Sequence, residues 1–126
     1  MKIRFVAAVI AVALVVSACA VSGPEATAKK FIIELSAMHW DEAKKLSTEQ
    51  GAQVLDMFKG LMSMMSEEQI KQSKKTVNAS DITIVSSKTD GDSATVVYKI
   101  KGEDKENTLN MKKVDGQWKV DYSKNF

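Results

Sequence analysis

Residues 81–122 read DITIVSSKTDGDSATVVYKIKGEDKENTLNMKKVDGQWKVDY, and apolar residues recur there at every second position. That period belongs to strands with one buried face. The sharpest local signal is Asp115-Gly116, which fits a two-residue type I′ turn because both of its central positions require positive φ. Such a turn pairs Met111 with Val120 and Leu109 with Tyr122, puts Trp118 on the same inner face, and leaves Asp121 pointing outward. Upstream, Ile82, Ile84 and Ser86 form one face and Thr83, Val85 and Ser87 the other. Ala94, Val96, Tyr98 and Ile100 extend the inner face. A three-residue loop, Asp90-Gly91-Asp92, sets Ile84 against Tyr98 and Ile82 against Ile100, whereas a two-residue loop misaligns the faces. A loop from Gly102 to Lys105 then places Leu109 opposite Tyr98, Met111 opposite Val96 and Asn107 opposite Ile100. The reading is a four-stranded antiparallel meander over about 81–123.

Before Thr76 the period is close to 3.6. Ala28, Phe31, Ile32, Leu35 and Met38 make one stripe of a helix that Pro24 can open, since the first turn has no use for its missing N–H. Trp40-Asp41-Glu42-Ala43 starts a second, short helix, with Asp41 as cap and Trp40, Ala43 and Leu46 facing inward. Ser47 with Gln50 has capping-box spacing. The helix it opens carries a broad apolar face of Val54, Leu55, Met57, Phe58, Leu61, Met62, Met64 and Met65, read as buried on one side. Ser66 with Gln69 repeats the capping spacing before a last helical stretch to about Lys75. Helices over about 25–75 followed by a one-faced meander predict an α+β domain, helices packed on one side of a curved antiparallel sheet.

The N-terminus has the three parts of an export signal: Lys2 and Arg4, an apolar run from Phe5 to Val16, then small residues. The uncharged run Phe5 to Val21 falls short of the roughly 20 residues a membrane-spanning helix needs. Val16-Ser17-Ala18-Cys19 resembles the lipobox of bacterial lipoproteins, and Cys19 is the chain's one cysteine. That resemblance implies a signal peptide over 1–18, cleavage before Cys19, a diacylglycerol on its thiol, and a short tether over 19–24 ahead of a single domain over 25–126. Several acyl chains hold a protein firmly, at about 0.8 kcal/mol per buried methylene, where one chain binds only reversibly. The implied partners are the lipid bilayer, through acylated Cys19, and the lipoprotein processing and sorting machinery. Ala20 lacks the aspartate that retains such proteins at the inner membrane, which implies the periplasmic face of the outer membrane in a Gram-negative envelope.

Lys2 and Arg4 supply the whole formal charge of +2, so the rest of the chain is neutral. Arg4 is also the one arginine, which leaves the domain without the side chain best suited to phosphates and base edges. Nucleic acid is excluded as a partner on that balance.

Pro24 to Leu46, followed by the meander ending in Gly116-Gln117-Trp118-Lys119-Val120, resembles a family of small bacterial lipoproteins of unknown function whose domain resembles the nuclear transport factor two-like, cystatin-like fold. The resemblance implies a strongly bent sheet that wraps the helices into a cone, often with a pocket. Tyr98, Trp118, Leu61, Met65 and Phe58 are the candidate pocket lining. No catalytic residue and no cofactor is assigned, because Tyr98 is the one inward donor and Asp41, Asp56, Asp81, Asp90, Asp92 and Asp121 fall on loops or wet faces. A single histidine, His39, makes neither a zinc site nor a triad, and the methionines have the spacing of a packed helix face. The expectation is a non-enzymatic binding or assembly domain for an apolar small ligand, a peptide or an envelope protein. Two alternatives stand: a cone-fold enzyme using Tyr98, and a structural lipoprotein that self-associates through outward residues such as Val85 and Val97.

Overall fold

The computed structural model describes residues 23–122. The signal residues 1–18, the cleavage residues Val16, Ser17 and Ala18, and the lipidation residue Cys19 lie outside them. Four helices come first, α1 (Pro24–Ser36), α2 (Trp40–Lys45), α3 (Glu49–Met62) and α4 (Glu67–Ser73), then a single 3-10 turn, Ala79–Asp81. Strands β1 (Ile82–Asp90), β2 (Ser93–Ile100), β3 (Asn107–Val114) and β4 (Gln117–Val120) follow, paired antiparallel in chain order. The domain is α+β, with all helices ahead of one four-stranded sheet.

Helix α1 crosses the sheet's inner face and supplies the centre of the core. Ala28, Phe31 and Ile32 are buried there with Ala43, Leu55, Val77, Ile82, Ala94, Val96, Leu109, Met111 and Val120. Pro24 opens the helix as its chemistry predicts. The helix ends at Ser36, two residues short of Met38, in a Schellman arrangement. His39 N–H donates to Glu34 C=O at 2.9 Å and Met38 N–H to Leu35 C=O at 3.0 Å. Met38 therefore holds the left-handed position that glycine usually fills, with φ of 58°.

Two caps differ from expectation. Helix α2 is preceded by His39, and Asp41 lies in its first turn, where a carboxylate suits the helix dipole. At α3 the cap is Thr48, whose side chain accepts from Gly51 N–H, while Ser47 Oγ donates back to Ala43 C=O at 2.8 Å. Ser47 is free for that role because Leu46 to Thr48 runs beside β4: Val120 N–H donates to Leu46 C=O at 2.7 Å, and Thr48 N–H to Val120 C=O at 2.9 Å. This strap covers an otherwise open sheet edge. It also buries Asp121, which alternation had placed in solvent; Thr48 Oγ1 donates to Asp121 Oδ1 at 3.3 Å. The capping box at Ser66 and Gln69 is formed.

The sheet keeps the predicted face pairing of its first hairpin by a different device. Ile84 faces Tyr98 and Ile82 faces Ile100, yet the loop holds two residues, since Asp90 pairs with Ser93. Gly91 takes φ of 60° at the first loop position, as a II′ turn demands. The register slips between Ile84 and Ser86, so the extra residue is a β-bulge at Val85. Beyond it the faces exchange: Ser87 and Thr89, not Ser86, lie opposite the buried Val96 and Ala94.

Strands β2 and β3 pair two residues away from expectation, with Val96 opposite Leu109, Ala94 opposite Met111 and Tyr98 opposite Asn107. A shift of two preserves which side chains face inward. Its cause lies in the connection, where Lys101 N–H donates to Asp81 C=O and Glu103 N–H to Ile100 C=O, prolonging the loop before β3 begins. The last hairpin forms as read, with Asp115 and Gly116 at φ of 51° and 78° and Met111 opposite Val120. Strand β4 stops at Val120, so Leu109 and Tyr122 do not pair in it; Tyr122 instead meets Phe31 at 5.5 Å between ring centroids.

Candidate functional site

At the end of the molecule where α1 finishes, four chain segments leave a groove of about 240 Å³. Leu35 and Ser36 come from the last turn of α1, Met38 from its cap, Trp40 from the start of α2, and Phe58 from the middle of α3. Ser73 and Lys75 close it from the end of α4, and Tyr122 forms its base. Lys75 is fixed there by its own backbone, whose N–H donates to Ser36 C=O at 2.9 Å. Tyr122 lies between Phe31, in the core, and Phe58, at 6.3 Å and nearly edge-on. Aromatic pairs in such tilted geometries add to the stability given by area alone. The groove is thus a continuation of the core with one wall missing.

Three aromatic rings, a leucine and a methionine line the groove together with three hydroxyls, of Ser36, Ser73 and Tyr122, and the Lys75 ammonium; no carboxylate is among the lining residues. Burial pushes the Tyr122 hydroxyl above its usual pKa, so it stays protonated at neutral pH. The volume equals about eight waters at roughly 30 Å³ each, room for one ring or a short chain.

The five residues expected to share a pocket are dispersed. Phe58 lines the groove; Tyr98, Trp118, Leu61 and Met65 are not among its lining. Tyr98 is a core ring between Ile84 and Asn107, and burial, with smaller contributions from Tyr122 and Glu103, pushes its pKa up to about 12. Trp118 packs against the core with the Lys113 ammonium 5.8 Å from its ring centre. Leu61 points into solvent at 58 % exposure. Trp40, Leu35, Met38 and Tyr122 were read from periodicity as core or cap residues. Their second role depends on how four chain segments meet, which no local pattern records.

A larger depression of about 580 Å³ lies at the opposite pole, between the start of α1 and the end of β1. Ser87 and Thr89, turned inward by the bulge, line it with Glu25 and Lys29. It is bordered by Gly23, the first described residue, and has no aromatic ring. The smaller groove is the better candidate because apolar surface supplies most small-ligand affinity. Among the described residues there is no cluster of three potential metal-binding side chains, and no helix long and apolar enough to cross a membrane. His39 pairs with Glu34, Nδ1 to Oε2 at 2.8 Å, at the cap of α1.

No protein-family model, curated protein or solved structure gives a significant match to this chain. The site is therefore read from its own chemistry.

Proposed function

We propose that this chain is the precursor of an envelope lipoprotein, lipidated on Cys19, whose domain binds an apolar ring or chain in the groove between Trp40, Phe58 and Tyr122. The observation that carries the binding reading is that groove: a set of core-quality side chains open to solvent, with no general base among them. Met38 supports it. A non-glycine residue held at positive φ is strained by roughly 1 kcal/mol or more, and such strain persists where the side chain has work that glycine could not do. Here the Met38 side chain forms a groove wall. The ligand is a small apolar molecule, or an apolar side chain offered by a peptide or another envelope protein. The cone of the nuclear transport factor two-like fold belongs to the same reading, and the bulge at Val85, which bends its strand, favours it.

The Val16-Ser17-Ala18-Cys19 sequence supports anchoring, and Ala20 supports the periplasmic face of the outer membrane in a Gram-negative envelope. Palmitate-analogue labelling of cells should mark the wild-type protein and not Cys19→Ala; equal labelling removes the anchor from the account. For binding, indole serves as a soluble apolar probe. Protein-observed nuclear magnetic resonance should show indole shifting Leu35, Trp40, Phe58 and Tyr122 with a Kd in the micromolar to low millimolar range, about −4 to −8 kcal/mol. Met38→Gly should weaken that binding while leaving the fold intact.

A further inference from the structure

The methionines of the domain differ widely in how much solvent they see, and the difference is concentrated on α3 and the turn after it. Met64 is 84 % exposed and Met57 is 67 % exposed, while Met111 on β3 is 3 % exposed. Met57 and Leu61 lie four residues apart and share one face of α3, Met64 follows in the turn after it, and all three are exposed. Gly60 lies within that face, and a side-chain carbon added there would meet nothing within 4 Å. Among the described residues no element covers this stripe.

We propose that Met57 and Met64 form a surface oxygen-accepting site, oxidised by peroxide ahead of the domain's buried methionine and without loss of the fold, which converts this apolar face to a polar one. In the step, a sulfur lone pair attacks one oxygen of hydrogen peroxide. The S–O bond forms as the O–O bond breaks, and the departing hydroxide takes the remaining proton to leave as water. The thioether is oxidised to the sulfoxide and the peroxide is reduced. Access decides the order, because the peroxide must reach sulfur directly: Met64 and Met57 present theirs, whereas Met111 lies in the core between strands. The fold survives because neither exposed side chain belongs to the core cluster. A sulfoxide is polar and chiral, so the face loses its apolar character, and a sulfoxide reductase restores it.

The experiment treats the full chain, reconstituted in vesicles of phosphatidylcholine and phosphatidylglycerol, with dilute hydrogen peroxide, and maps oxygen addition peptide by peptide with mass spectrometry. Met57 and Met64 should gain one oxygen each at least tenfold faster than Met111, while the circular dichroism melting curve of the doubly oxidised protein matches the untreated one. Met57→Leu with Met64→Leu should remove the fast phase and keep the melting curve. Similar rates at Met57, Met64 and Met111 would overturn the proposal, as would a fast phase that survives in the double variant. A melting temperature that falls as Met57 and Met64 are oxidised would overturn it too, by placing both side chains within the stabilising core.

Discussion

One face of α3, through Gly51, Leu55, Phe58 and Met62, is built into the fold, whereas the face that carries Met57 and Leu61 stands in solvent. Gly51 and Leu55 are buried beside β4 and the core, and a side-chain carbon at Gly51 would come within 3.0 Å of Val120 C=O and Tyr122 N. On the other side of the same helix, and in the turn after it, Met57, Leu61 and Met64 are exposed, and Gly60 has open space around it. Both faces carry apolar side chains, so composition cannot explain the difference. What differs is the neighbour. The Leu46 to Thr48 strap ties the start of the helix to Val120, and Phe58 carries the inner face on to Tyr122 and the groove, while Met57 and Leu61 stay open to solvent. Apolar residues kept where the fold gains little from them call for a reason outside folding.

Substitutions can break or sharpen that contrast. The largest expected loss is at Leu55→Ala, about 2–5 kcal/mol in chemical denaturation, because a fully buried side chain leaves a cavity in the core. Gly51→Ala should follow at about 1–3 kcal/mol, since the atoms its new carbon would strike are backbone and cannot swing away. A similar loss at Gly60→Ala would erase the distinction; the expected result there is a gain of about 1 kcal/mol, the helix preference for alanine with nothing to oppose it. The smallest effect belongs to Leu61→Ser, within about 0.5 kcal/mol in the same measurement, as for an ordinary surface position.

Alkaline pH probes the buried face of the sheet by another route. The Tyr98 pKa is pushed up to about 12 by burial, above the unfolded value of about 10. Its contribution to stability is therefore complete below pH of about 10 and is lost as pH rises through about 12. The melting temperature should fall across that interval, and less steeply in Tyr98→Phe. Equal slopes would show that Tyr98 ionises as freely in the folded protein as in the unfolded chain.

These contrasts also mark where the sequence is legible. Asp115-Gly116 and the Ser66–Gln69 capping box were readable because each is a local demand that few residue pairs satisfy. The face pairing of β1 with β2 was readable from Ile82, Ile84, Tyr98 and Ile100, but the means were not. Moving one residue from the loop into a bulge at Val85 leaves those four pairs unchanged and exchanges only the polar residues beyond. Asp121 was misplaced because alternation along one strand says nothing about a strap from another part of the chain covering its outer side. For the same reason the apolar residues of α3 predicted one broad buried face and gave no sign that Met57, Leu61 and Met64 stay exposed. The groove depends on four such meetings at once.

The proposed binding reading, in which Phe58 serves the groove and Leu61 on the same helix does not, is tested most directly by indole titration of two variants about 4.5 Å apart in axial rise, Phe58→Ser and Leu61→Ser. Both lie on the same half-helix, and only Phe58 lines the groove. Circular dichroism establishes that each is folded before the titration. The account predicts at least a tenfold weaker indole Kd for Phe58→Ser and an unchanged Kd for Leu61→Ser. Equal affinities in both variants and wild type, or no indole bound to any of them at millimolar concentration, would contradict it.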